Sequence, residues 1–325
     1  MPMGIMIRET GGPEVMSYEE ISVGEPGPGE VKLRHTAIGL NFIDTYFRTG
    51  LYPHPNGLPF IPGSEAAGEV VAVGEGVEYL TIGDRVGYTG APGTYCEERV
   101  VPAERMVKLP DGIDDKTAAA MMLKGMTTQY LLGRTFKVEP HHTVLFHAAA
   151  GGVGQIAGQW AKKLGCTIIG TVGSPEKAEI AKGLGYTHVI NYREEDFVER
   201  VKDLTDGKGV DVAYDSVGKD TYPGSLDCIK PRGMWVTFGN ASGPVGPIDL
   251  LELSKRGSLF ATRPTLFAYI ATRDELLETA NELFDVVQSG DVKIDIGQTY
   301  ALKDVVQAHK DLEGRMTKGS TVILP

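Results

Sequence analysis

The segment Thr143-Val144-Leu145-Phe146-His147-Ala148-Ala149-Ala150-Gly151-Gly152-Val153-Gly154 constrains this chain more than any other. Strand-like residues run into a glycine-rich turn, and an amphipathic stretch over 153–164 follows and stops at Gly165. A G-x-G-x-x-G spacing carries meaning in this strand–turn–helix context. Here Ala149 takes the first slot, followed by Gly151 and Gly154. Gly151 allows the backbone to approach a pyrophosphate, and Gly154 allows the helix to pack closely on the strand. Free N–H groups and the dipole at the helix start favour phosphate. The segment predicts a chain that binds a dinucleotide and moves hydride.

The surrounding pattern alternates in the way such a turn requires. Strands are predicted over 143–147, 167–172, 188–191, 210–215, 234–238 and 258–262. Helices are predicted over 153–164, 175–184 and 195–204, with a weaker one near 221–229 and a short one near 250–255. Strands alternating with helices imply an α/β fold, a Rossmann doubly wound parallel sheet. Ser174 is a candidate N-cap with Pro175 at the first helical position, and Gly165 and Gly185 stand where a left-handed residue ends a helix.

Upstream, residues 1 to about 124 read as short strands (31–37, 69–73, 85–88) broken by Gly-Pro clusters at 24–29, 51–63 and 90–93, a β-rich domain. Segments 117–122 and 127–136 read as helical. A long helix over about 273–289, a strand, a helix over 303–313 and a strand over 320–324 close the chain. These do not extend the alternation and are expected to return to the first domain. The expected division is a discontinuous catalytic domain, 1–124 and 269–325, and a dinucleotide-binding domain, 125–268, with a ligand in the cleft between them.

Composition removes several function classes. The net charge of −11, without a clustered basic surface, argues against nucleic acid. No run approaches the length of about 18 apolar residues that a membrane span needs. Residues 1–8 lack the apolar core of a signal peptide, and three scattered cysteines (Cys96, Cys166, Cys228) suit a reducing compartment, so a cytoplasmic location is expected. The bland reading of each cysteine is a small buried residue.

The second predicted strand selects between dinucleotides. An NAD-preferring fold ends it with an Asp or Glu that binds the ribose 2′-OH. Here it ends Thr171-Val172-Gly173-Ser174, and Glu176 lies too far into the next helix to substitute. Lys177 stands one turn into that helix, within reach of a 2′-phosphate, and Ser174 could donate to it. NADPH is therefore expected over NADH. The competing reading of Lys177 is a solvated helix lysine.

Taken together, these motifs resemble the zinc-independent, zeta-crystallin-like NADPH:quinone oxidoreductases of the medium-chain dehydrogenase/reductase superfamily. The likeness rests on Gly39-Leu40-Asn41-Phe42-Ile43-Asp44-Thr45-Tyr46, Pro62-Gly63-Ser64-Glu65-Ala66-Ala67-Gly68, Gly83-Asp84-Arg85-Val86 and the glycine turn. It continues through Asn191-Tyr192-Arg193-Glu194-Glu195-Asp196, Tyr214-Asp215-Ser216-Val217-Gly218, Phe238-Gly239-Asn240-Ala241-Ser242-Gly243 and Thr262-Arg263-Pro264. The glycine turn alone is weakly specific, whereas the ordered set is highly specific.

The resemblance implies a GroES-like catalytic domain and a set of site residues. Asn41, Tyr46 and Thr127 are implied as catalytic, with Asn41 and Tyr46 near nicotinamide and quinone. Thr127 and Tyr130 would line the cofactor site, and Gly152 and Val153 would face the pyrophosphate. Gly173, Ser174, Lys177 and Tyr192 would surround the 2′-phosphate and adenosine, with Arg315 approaching from the C-terminal segment. Ser216, Phe238, Gly239, Asn240, Ser242 and Arg263 would border the nicotinamide half. It also implies a homodimer joined through the edge strand near Ser258 and Thr262.

Alcohol dehydrogenases on this fold hold zinc with Cys and His. Here the position that begins their ligand set is Asn41, no C-x-x-C pair exists, and the seven histidines show no H-E-x-x-H spacing, so no metal is expected. His141-His142 reads as a solvated turn. Without a Lewis acid, alcohol chemistry lacks its oxyanion stabiliser, whereas a quinone accepts hydride readily once aligned. Tyr46, Tyr52 or Asn41 could hydrogen-bond the developing phenolate. The bland readings are a turn-fixing carboxylate for Glu65, loop organisers for Asp44 and Asp84, and a half-buried aromatic loop over 46–52. The resemblance favours a site role for Tyr46 but not for Tyr52. The expected activity is NADPH-dependent quinone reduction. Two alternatives stay open: reduction of the C=C bond of enones, alkenals or enoyl thioesters, and a crystallin-like or RNA-binding protein with little turnover.

Overall fold

The computed structural model describes residues 1–325. The chain opens with β1 (Met3–Ile7), β2 (Met16–Glu20), β3 (Glu30–Leu40), α1 (Phe42–Thr49), β4 (Glu65–Val73), β5 (Arg85–Thr89), β6 (Glu98–Pro102), β7 (Val107–Lys108) and α2 (Asp115–Tyr130). The alternating portion follows as β8 (Thr143–Phe146), α3 (Gly152–Leu164), β9 (Thr167–Val172), α4 (Pro175–Gly183), β10 (His188–Asn191), α5 (Phe197–Leu204), β11 (Val210–Asp215), α6 (Gly224–Asp227), β12 (Ile229–Thr237), α7 (Leu251–Lys255), β13 (Phe260–Thr262) and α8 (Leu266–Tyr269). The chain ends with α9 (Arg273–Gln288), β14 (Ile296–Ala301), α10 (Val305–Glu313) and β15 (Ser320–Leu324).

Contacts gather these elements into two units. One comprises Met1–Met126, Ile270–Gln288 and Ile294–Pro325; the other comprises Thr127–Tyr269 and Ser289–Lys293. In the first, the strands run β14-β15-β3-β4-β5-β7, with β6 also pairing β3 and β1–β2 forming a separate ladder. On β3, Val31, Leu33, His35 and Ala37 point inward while Arg34 and Thr36 face solvent, the period-two burial of a sheet with one wet face. The core beneath includes Ile5, Leu33, Ile38, Val70, Val86, Tyr95, Met106 and Val305. β15 lies antiparallel to β3, with Val322 opposite Gly39, so the end of the chain completes this sheet.

The second unit is a six-stranded parallel sheet in the order β10-β9-β8-β11-β12-β13. Chain direction across the sheet reverses between β8 and β11, the topological switch point at which such sheets bind ligands outside their carboxyl ends. Every residue of β11 is buried, as expected of a central strand covered on both faces.

Several boundaries differ from expectation for local reasons. The aromatic segment 46–52 is not all loop: Tyr46 lies on α1, which Gly50 ends in a left-handed conformation at φ 80°. The two helical pieces at 117–122 and 127–136 are one helix, α2, which widens into a π turn at Leu131–Thr135. Gly125 does not break it, because a Cβ there would meet Leu283 at 2.5 Å; the glycine makes room for a neighbouring helix. The fifth parallel strand begins early, at Ile229, and irregular pairing with β11 carries it past Arg232, whose φ is 64°. That early start leaves only Gly224–Asp227 of the weak helix predicted near 221–229. Ser258, at φ 60°, sits in the turn before β13, so the sixth strand is shorter than predicted. β1, β2, β6 and β7 are additions to the predicted set.

Candidate active site

The glycine turn folds as its spacing requires. β8 passes into Ala148, which is left-handed at φ 57°, and the Ala149 N–H donates to the Thr171 carbonyl at 3.0 Å, fastening the turn to β9. Gly151 is the N-cap of α3 and no side chain caps that helix, so its first N–H groups are presented without a side-chain acceptor. A Cβ on Gly154 would stand 2.4 Å from the Ala148 carbonyl oxygen and 2.7 Å from that of Ala149, so only glycine lets α3 lie this close to the turn. This is a cradle that side chains would fill, at a helix start that favours phosphate.

Beside it, β9 ends without a carboxylate, at Val172. Ser174 caps α4 by accepting from the Lys177 N–H at 3.3 Å, which leaves its hydroxyl proton available to a ligand. Tyr192, exposed, lies over Gly173 so closely that a Cβ there would be 2.4 Å from its hydroxyl. The absent acid and the hydroxyl and ammonium groups beside the turn fit a phosphorylated ribose, and so NADPH.

On the other side of the switch point two loops interlock. Asp215 ends β11 and accepts from the N–H groups of Val217 (2.9 Å) and Gly218 (3.0 Å) and from the hydroxyls of Thr221 (2.8 Å) and Ser225 (2.9 Å). Burial raises its pKa, but His147 and these donors more than offset that and hold it below the usual carboxylate value. The Ser216 carbonyl accepts from Ala241 N–H at 3.1 Å, and a Cβ on Gly239 would sit 2.4 Å from that carbonyl oxygen. Ser242 Oγ donates to the Val217 carbonyl (2.9 Å) and accepts from Asp220 N–H (3.0 Å), so its hydroxyl locks the turn. Arg263 Nη1 donates to Thr237 Oγ1 and to the Gly239 carbonyl, each at 2.9 Å. Phe238 packs against Phe146, with ring centroids 5.9 Å apart, and Asn240 lies in the same loop. Thr127 and Tyr130 are buried on the last turns of α2, and Tyr130 stacks on Tyr269 at 4.5 Å.

Asn41 and Tyr46 belong to the first unit. Asn41 follows β3 directly and stands at the N-cap of α1; its backbone N–H donates to Asp44 Oδ2 at 2.9 Å and its amide to Glu65 Oε2 at 2.8 Å. Tyr46, on the same helix, meets Tyr52 edge-on at 5.2 Å. Arg315, left-handed at φ 61°, occupies the turn after α10.

Sequence reasoning missed the polar groups behind this helix. Glu65 does more than fix a turn: it is fully buried, accepts from Leu123 N–H at 2.7 Å and pairs with Lys124 Nζ at 2.9 Å. Asp44 is likewise buried and accepts from Ser64 Oγ (2.8 Å) and Tyr95 hydroxyl (2.9 Å). Tyr95 contacts His309 Nε2 (3.1 Å), whose Nδ1 accepts from Arg48 (2.8 Å). An arginine only donates, so His309 carries its proton on Nε2 and donates to Tyr95, which donates to Asp44. The one sequence signal for Glu65 was Lys124 itself, a charge directly after the apolar run Ala118-Ala119-Ala120-Met121-Met122-Leu123. No three His, Cys, Asp or Glu side chains gather in a way that would hold a metal ion.

A doubly wound sheet with a glycine cradle at its switch point, together with a β-rich unit, defines a medium-chain dehydrogenase/reductase. Residues 27–111 match the alcohol dehydrogenase GroES-like domain, and residues 152–284 match the zinc-binding dehydrogenase family. The chain is 55% identical to a quinone oxidoreductase of Pseudomonas aeruginosa, with all of both chains covered. It is 50% identical to a 2-haloacrylate reductase of Burkholderia, covering all of this chain and 99% of that one. The crystal structure of Escherichia coli quinone oxidoreductase complexed with NADPH superposes with a TM-score of 0.97 at 50% identity, covering 99% of this chain and 100% of that one. The chain belongs to the quinone oxidoreductase family of the medium-chain dehydrogenase/reductase superfamily.

Proposed function

We propose that this protein is an NADPH-dependent quinone reductase. The observation that carries the reading is the full-length likeness to a quinone oxidoreductase complexed with NADPH, joined to a glycine cradle beside a strand end without a carboxylate. NADPH, when bound, supplies two electrons as hydride from its nicotinamide. The chain's own residues bind and orient. Gly152 and Val153 face the pyrophosphate; Gly173, Ser174, Lys177 and Tyr192, with Arg315, hold the phosphorylated ribose and adenine. Tyr130 lines the cofactor site. Ser216, Phe238, Gly239, Asn240, Ser242 and Arg263 border the nicotinamide half, where the Ser242 and Arg263 hydrogen bonds fix the loop shape. Asn41 and Tyr46 act on the acceptor by hydrogen-bonding its oxygen, and Thr127, also assigned a catalytic role, lines the cofactor site beside Tyr130. In this reading 1–124 and 269–325 carry the acceptor and 125–268 the dinucleotide.

We further propose a homodimer through β13. It is the edge of its sheet and presents Phe260 with 60% of its surface exposed; Leu250 and Leu251, shortly before it in the chain, are exposed as well. No helix is long and apolar enough to cross a membrane, and all three cysteines are free and buried. Both facts suit the cytoplasmic location proposed for this protein.

A second reading is favoured by the 50% identity to the 2-haloacrylate reductase: the same fold and cofactor acting on an activated C=C bond. Assays with a soluble ortho-quinone, an alkenal and 2-chloroacrylate at matched concentration separate the two. Faster NADPH oxidation with the quinone supports the first reading, and turnover of only the alkene substrates replaces it with the second.

A further inference from the structure

Lys124 is a charge set where charge is costly. Ala118, Ala119, Ala120, Met121, Met122 and Met126 around it on α2 are fully buried, and the Lys124 side chain keeps only 8% exposure. Its ammonium meets Glu65 Oε2 at 2.9 Å, the oxygen that also accepts from the Asn41 amide at 2.8 Å, while Glu65 Oε1 accepts from Leu123 N–H at 2.7 Å. The carboxylate thus already has two neutral donors without the lysine. A buried ion pair stabilises a fold little more than apolar side chains of the same size would, so stability alone gives Lys124 no reason to be charged. The backbone is also shaped around Glu65: a Cβ on Gly39 would stand 2.4 Å from Oε2 and 2.1 Å from the Ala119 carbonyl oxygen. A glycine, a buried carboxylate and a helix together hold one cation a single hydrogen-bond step from Asn41.

We propose that Lys124 is a catalytic residue whose ammonium, oriented by Glu65, donates a hydrogen bond to the acceptor's carbonyl oxygen and stabilises the negative charge that grows there on reduction. The inference rests on the quinone-reductase reading and gives it a protein-borne cation in the role that a Lewis acid has elsewhere. Glu65 is a positioning residue: it holds Lys124 and Asn41 on one oxygen, so that both turn the same way.

The test has two parts. The first uses 4-nitrophenol as a probe, with its ionisation followed by absorbance and without turnover. Bound to the wild-type protein, it should ionise at a pH about one unit or more below its free value, and Lys124→Met should abolish that shift while Lys124→Arg retains it. A wild-type protein that leaves the bound probe's ionisation unchanged overturns the proposal, whether or not the variant folds. The second part is kinetic. Lys124→Met should lower kcat for an ortho-quinone roughly 100-fold with NADPH affinity unchanged, and Lys124→Arg should recover most of the loss. Equal kcat in wild type and Lys124→Met overturns the proposal while leaving the quinone-reductase reading intact. Wild-type silence toward quinones sinks that reading instead, and the nitrophenol shift still reports on Lys124.

Discussion

The Tyr186 hydroxyl donates to the Gly154 carbonyl at 2.8 Å, so a residue outside the glycine turn braces the helix that the turn begins. Its ring also fills the space vacated by two other glycines: a Cβ would come within 2.4 Å of it from Gly158 and 2.5 Å from Gly170. Gly158→Ala should therefore force α3 and the ring apart, at a cost of about 1–3 kcal/mol. Tyr186→Phe keeps the packing and removes one buried hydrogen bond from the Gly154 carbonyl, which retains its helical bond within α3, at a cost of about 1 kcal/mol. Thermal melts should show both variants below wild type with Gly158→Ala the lower, and NADPH affinity should fall with Gly158→Ala. A Gly158→Ala protein as stable as wild type contradicts this packing.

Lys177 supplies the discriminating charge if the cofactor carries a 2′-phosphate. Lys177→Ala should weaken NADPH by about tenfold or more, the loss expected of a charge-assisted hydrogen bond, and leave NADH unchanged. Calorimetric titration of both cofactors into both proteins measures the difference. A parallel loss for both cofactors would assign Lys177 to α4 alone.

Asp44 sets a pH dependence of unusual sign. Burial raises its pKa from 3.8 to about 6, against the donors Ser64, Tyr95 and Asn41 and the nearby Lys124 charge, which pull it down. The folded state then holds a proton that the unfolded state has lost between these values. The stability from this group is complete below the unfolded pKa and is lost as pH rises through about 6. Wild type minus Asp44→Asn, compared by chemical denaturation, should decline across that window by at most about 1.4 kcal/mol per pH unit. A difference that rises with pH there means that the donors outweigh burial.

Much of this was legible beforehand because it is local. The parallel strands announce themselves as buried apolar runs, and Gly165 and Gly185 ended their helices where the sequence placed them, at φ 77° and 95°. α1 was not legible as a helix, since its start depends on Asn41 and Asp44 at the end of a strand and its core aromatics resemble a loop. The Asp44–Tyr95–His309–Arg48 line was illegible for a different reason. Its members stand up to 265 positions from their partners, as with Arg48 and Glu313, and meet only because α10 returns to the first sheet. Glu65 and Lys124, 59 positions apart, carried a hint in the lone lysine but none about which acid it meets.

The edge strand makes the oligomer testable. Phe260→Lys places a charge on the exposed edge of β13, the device by which sheets block edge pairing. Light scattering after size exclusion should give a dimer for wild type and a monomer for the variant. An unchanged mass places the interface elsewhere.

That this chain passes electrons from NADPH to a quinone can be tested directly by one comparison. The measurement is kcat/KM for a soluble ortho-quinone with NADPH and with NADH, followed by the loss of reduced-cofactor absorbance. Turnover is expected with both, with NADPH at least tenfold favoured, as the missing carboxylate after β9 and the Lys177 ammonium require. No quinone-dependent oxidation of either cofactor, or a preference for NADH, would contradict it.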